Sequence, residues 1–134
     1  MYYNKCKAIK NTKRKEEIYM RYYGVYDNQR QEFRGIGTNK NKMAIDFAEY
    51  WFDVAQDDLL NDYEYVKEGM PELNVKTFDD YMNCYFRKFW SPKNREEKIQ
   101  GAYDFLNQYD FTLEYIDKRE YKELSEREDF IMEF

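Results

Sequence analysis

Residues 17–38 read EIYMRYYGVYDNQRQEFRGIGT, and this stretch decides the fold class. Glu17 to Tyr26 alternates loosely and is rich in Ile, Val, Met and Tyr, residue types that suit a pleated, half-buried surface. Asp27-Asn28-Gln29-Arg30 is a polar turn, and Glu32 to Thr38 reads as the returning strand. A β-hairpin is therefore expected here. Gly35-Ile36-Gly37 lacks the third glycine of a dinucleotide loop, and no βαβ order surrounds it, so it reads as flexible backbone at a strand end. Tyr2 to Ile9 offers a further, edge strand.

Outward from the hairpin, a long helical pattern begins after Thr38 or Asn39, either of which can cap it. At ~100° per residue, Phe47, Trp51, Val54, Ala55 and Leu59 share one side. Asp58 and Asp62 then fall on that same apolar side, so the helix is expected to end or bend near Asp57–Asn61. Glu68-Gly69-Met70-Pro71 is a firm break. Thr77 can cap a second helix, whose Phe78, Tyr81, Met82, Tyr85, Phe86 and Phe89 follow the helical template. Ser91-Pro92 supplies a cap and a first-position proline for a third helix, burying Ile99, Ala102, Tyr103 and Leu106.

Phe111, Leu113 and Tyr115 alternate with Thr112, Glu114 and Ile116, which predicts a strand able to pair with the hairpin. Ser125-Glu126-Arg127-Glu128 has capping-box spacing and could open a short final helix. The order predicts an α+β fold, with a small antiparallel sheet of the hairpin and the later strand packed against three helices. The 134 residues carry no repeat or linker and form one domain, with residues 1–16 read as a flexible basic segment.

Composition narrows the chemistry. No stretch approaches the ~20 apolar residues of a membrane span, and the start lacks the apolar run of a signal peptide. Cys6 and Cys84 are the only cysteines, which suits a reduced interior better than a disulfide framework. The cytoplasm of a bacterial host is the expected location, since the Lys, Asn, Ile, Tyr and Phe bias follows AT-rich codons. The chain has no histidine, which removes the commonest general base and the commonest metal ligand. Two cysteines cannot supply a structural zinc site. Glu120-Tyr121-Lys122, with Asp110 or Asp117 upstream, has the spacing of a magnesium-dependent nuclease. Glu96-Glu97-Lys98 repeats that tripeptide inside a helical pattern, as chance produces in a chain that is 37% charged. The expectation is a protein that is not an enzyme and uses no cofactor and no metal.

Charge is the most uneven property. The net value of −5 combines eleven Lys or Arg against four acids in residues 1–42 with eleven bases against twenty-three acids thereafter. Opposite halves of this kind suggest a charged partner, or two halves that neutralise each other in the fold. Asp46, Glu49, Asp53 and Asp57 lie within a sector of about 80° on the first helix. They span about 16 Å of axis, over which one DNA strand places about five phosphates. Glu64 and Glu68 extend the line if the helix continues, and Asp58 and Asp62 add charge nearby. These eight acids are the candidate partner-binding surface. The alternative surface is basic: Lys13, Arg14 and Lys15, with Arg21, Arg30 and Arg34 on the hairpin, could contact nucleic acid. Fifteen tyrosines add to the character of a binding surface.

Two resemblances bear on function. From Met20 to Trp51, strand, turn, strand and helix with Phe33-Arg34-Gly35-Ile36-Gly37-Thr38 before Ala44 and Phe47 resemble the arm-type DNA-binding domains of phage integrases. That likeness implies DNA contacts by Arg21, Arg30 and Arg34. In its small size, acidity and lack of a catalytic signature the whole chain is similar to phage-encoded anti-CRISPR and anti-restriction proteins. This second likeness implies a non-enzymatic inhibitor that occupies the DNA-binding groove of a host defence nuclease, a protein partner met through an acidic, DNA-like helix.

Overall fold

A computed structural model describes residues 20–127 and 131–134. The edge strand expected over Tyr2–Ile9, the basic segment 1–16 with Lys13, Arg14 and Lys15, Cys6, and Glu128 of the capping-box spacing lie outside the described residues. Strands β1 (Tyr22–Asp27) and β2 (Glu32–Gly37) form the expected hairpin, with a bulge between Val25 and Tyr26. The turn is built by Asp27. Its Oδ1 accepts the backbone N–H groups of Gln29 and Arg30 at 3.0 and 3.1 Å. Asn28 ties the turn to the later strand by donating from its Nδ2 and its backbone to the Asp110 carbonyl.

Helix α1 runs unbroken from Lys40 to Gly69, with the Asn39 side chain accepting from the Lys42 N–H at 3.1 Å. The expected end near Asp57–Asn61 is therefore wrong. A single 3-10 turn (Pro71–Leu73) leads to α2 (Phe78–Trp90), whose Thr77 and Asp80 make a reciprocal capping box. Helix α3 (Arg95–Gln108) is capped by Asn94 rather than Ser91, because Asn94 Oδ1 accepts from the Glu97 N–H at 2.8 Å. Strand β3 (Phe111–Ile116) pairs antiparallel with β1.

Helix α4 (Lys118–Ser125) follows, opened by Asp117. Ser125 closes this helix, with Oγ donating to the Lys122 carbonyl at 2.8 Å, so the spacing read as a start marks an end. A two-residue strand β4 (Met132–Glu133) lies parallel to β2. The fold is α+β: a four-stranded mixed sheet in the order β3-β1-β2-β4 packed against four helices.

The period of two along each strand sorts the sheet into two faces. On one face, Val25 and Phe111 pack with Met43, Ala44, Phe47 and Ala48 of α1 and with Phe105 of α3. On the other, Ile36 and Ile116 pack with Leu124 of α4. Helices α2 and α3 approach closely because residue 101 is glycine: a Cβ there would lie 2.4 Å from backbone atoms of Lys88 and Phe89.

The length of α1 explains why its apolar pattern misled. In its first half, Met43, Phe47 and Trp51 face the sheet side while Ala44, Ala48, Phe52 and Ala55 face the helices, together an arc of about 180° at ~100° per residue. Beyond the sheet, among the described residues, α2, its approach and the end of α3 cover the helix, and Leu59, Tyr63 and Val66 make a stripe of about 60°. Asp58 and Asp62 sit eleven residues, about three turns, after Phe47 and Trp51. They share that side of the helix and are exposed because the sheet has ended. Val54, expected on the apolar side, is 51% exposed.

Candidate functional site

Because α1 does not break, six acids fall on one line. Asp46, Glu49, Asp53, Asp57, Glu64 and Glu68 lie within about 100° of arc and span about 33 Å of axis. Lys42 pairs with Asp46 at 2.6 Å, one turn apart. Among the described residues no ion pair reaches Glu49, Asp53, Asp57, Glu64 or Glu68, all of them exposed. Between Asp57 and Glu64 the line is interrupted by Leu60, which is itself solvent-exposed. Six carboxylates over this length are about half as dense as the phosphates of one DNA strand. Asp58 and Asp62 stand apart from the line, at about 120–160° from Asp46 on the helix.

The line has an apolar neighbour. A groove of about 280 Å³ is lined by Phe52 of α1, Phe89 and Trp90 of α2, and Ala102 of α3, with Glu49 and Asp53 on its wall and Lys98 opposite in charge. Phe52 and Trp90 rings are 5.5 Å apart, and Phe89 stacks on the buried Phe105 at 4.3 Å, so the groove has a fixed aromatic floor. Carboxylates beside such a floor favour a basic residue with a long apolar stem, whose stem packs while its charge meets Glu49 or Asp53.

The basic candidates are differently placed. Arg34 donates to Asp27 Oδ2 at 3.3 Å and lies over the Trp51 ring at 5.6 Å. Asp27 is the one buried charged side chain among the described residues, and the fold uses Arg34 to balance it. Arg21 lies over the exposed Tyr115 ring at 5.4 Å. Arg30 is exposed at the hairpin tip. The three arginines thus do not converge on one patch. Glu120-Tyr121-Lys122 lies in α4, and Glu96-Glu97-Lys98 in α3, so neither tripeptide sits on a strand as the nuclease arrangement requires. Among the described residues no group of three or more Cys, Asp or Glu could hold a metal ion. None of the described helices is long and apolar enough to cross a membrane.

A second cavity escaped the sequence reading. It measures about 360 Å³ and is walled by Asp62 and Tyr65 of α1, Tyr81, Tyr85 and Phe86 of α2, and Tyr109 after α3. The Tyr81 and Tyr109 phenols are each pushed up to about 12, first by burial and then by the Asp62 carboxylate. The excess of tyrosine was the available signal; its clustering depends on helices brought together only in the fold. Comparison with protein-family models, curated proteins and solved structures returns no match for this chain.

Proposed function

We propose that this protein is a non-enzymatic inhibitor that binds a nucleic-acid-binding host defence nuclease, presenting the acidic line of α1 where the nuclease expects a nucleic acid backbone. One observation carries the reading: an unbroken helix holds six carboxylates on one face over about 33 Å, and five of them have no ion-pair partner among the described residues. Like charges at this spacing cost an isolated helix a few tenths of a kcal/mol per pair. A basic nucleic-acid groove would offset that repulsion and gain long-range steering from it. The groove at Phe52, Phe89 and Trp90 supplies short-range contact beside the charge, so that a partner arginine or lysine can anchor there.

The test is a gel titration of labelled duplex DNA with and without a guide-loaded CRISPR nuclease, at rising amounts of this protein. The expected result is that the nuclease releases its DNA while the protein alone leaves DNA unshifted. Asp53→Lys with Asp57→Lys is expected to abolish the release and keep the fold. A shift of DNA by the protein alone would overturn the proposal in favour of its basic surface. Full release by the charge-reversed variant would remove the acidic line from the mechanism.

A further inference from the structure

The tyrosine cavity lies on the opposite flank of α1 from the acidic line, and the function proposed above does not use it. Among the described residues its wall carries no lysine or arginine. Four phenol rings and the Phe86 ring surround it, and Asp62 places a carboxylate at its side. Asp58, one turn earlier, adds a second negative charge felt at Tyr109.

The cavity is also formed at a cost to regular structure. Phe86 leaves helical geometry, with φ −131° and ψ 34°, where α2 passes it. Tyr65 and Tyr85 remain 68% and 49% exposed, which is aromatic area that the core does not use. Aromatic faces attract a cation through their quadrupole, and a nearby carboxylate reinforces that attraction while repelling anions. The volume admits a small organic group but little more.

We propose that the cavity bounded by Asp62, Tyr65, Tyr81, Tyr85, Phe86 and Tyr109 is a binding site for an alkylammonium group. Tyr81 and Tyr109 supply ring surface while remaining protonated at neutral pH, since burial and the adjacent Asp62 both hold their phenols far above it. The cation lies against the rings, with its charge toward Asp62. The same chemistry is offered by a free quaternary amine and by a methylated lysine side chain of another protein.

The full chain is titrated with choline chloride and followed through its backbone amide resonances. Sodium chloride and 3,3-dimethylbutanol, the uncharged isostere of choline, serve as controls. The expected result is saturable shifts at Tyr65, Tyr81, Tyr85 and Tyr109 with choline, and binding about tenfold weaker for the alcohol. Asp62→Asn and Tyr85→Ala, both at exposed positions, should retain the native spectrum and each weaken choline several-fold. Equal binding of choline and the alcohol, or choline affinity unchanged in both variants, overturns the site. A glycine-flanked peptide with one trimethyl-lysine then separates the sources. Tighter binding than choline assigns a protein-borne cation, and equal binding assigns a free one; either keeps the site.

Discussion

The two halves of α1 share one unbroken helix and have different surroundings. From Lys40 to Ala55 the helix is clamped between the sheet and α3, and both sides of its inner face are apolar. From Gln56 to Gly69 it runs past the sheet and, among the described residues, is covered on one side only. At the helical angle where the first half carries Phe47 and Trp51, the second carries Asp58 and Asp62. A carboxylate in the first setting would be buried without a partner; in the second it is hydrated. The width of an apolar stripe thus reports how many layers cover a helix, and a change in that width does not mark its end.

The largest expected effect breaks the contrast outright. Phe47→Asp moves the carboxylate of position 58 back three turns, into contact with Phe111 and Phe134. It should cost about 4 kcal/mol or more and remove the cooperative thermal transition. Gly101→Ala forces α2 and α3 apart at Lys88, a helix pair that supports both halves of α1. Its expected cost is about 1–3 kcal/mol in urea unfolding.

Smaller effects sharpen the contrast. Thr77→Ala, at the cap of the helix whose first turn packs on Tyr63 of the outer half, should cost about 1 kcal/mol. Its partner Asp80 has its carboxyl held below the usual 3.8, chiefly by the backbone N–H of Lys76 and then that of Thr77. A lowered folded value means that the stabilisation is complete above 3.8 and is lost as pH falls through the lower folded value. Acid unfolding monitored by circular dichroism should therefore show a weaker pH dependence in Asp80→Asn than in the natural chain. Smallest of all, Asp58→Leu should change stability by no more than about 0.5 kcal/mol, because the position is exposed among the described residues.

What the sequence disclosed was mainly local. The hairpin, the caps at Asn39 and Thr77, and the aromatic stripe of α2 depend on residues a few positions apart, and each is present. Tyr85 departs from that stripe and is exposed, since the backbone leaves helical geometry at its neighbour Phe86. The end of α1 was misread because its angular pattern was judged against one continuous cover. The acidic line was visible over Asp46–Asp57, and its full length followed only once the helix proved continuous. Neither the Asp27–Arg34 pair over Trp51 nor the tyrosine cavity could be read in advance. Each joins separate segments, and the arginine that looked available for DNA is the one the buried aspartate requires.

The two tryptophans stand on either side of α1, and that placement has an optical consequence. Trp51 has a buried Nε1 with no hydrogen-bond partner among the described residues and packs at the sheet side beneath Arg34. Trp90 lines the groove beside Glu49 and Asp53. Their emission should therefore separate by wavelength, with Trp51 toward the blue. An occupant of the groove will quench or shift Trp90 alone. Loss of the Asp27–Arg34 pair will alter Trp51 first. The molecule thus carries an intrinsic fluorophore for its proposed binding face and another for the integrity of its sheet, each isolated by a single Trp→Phe change.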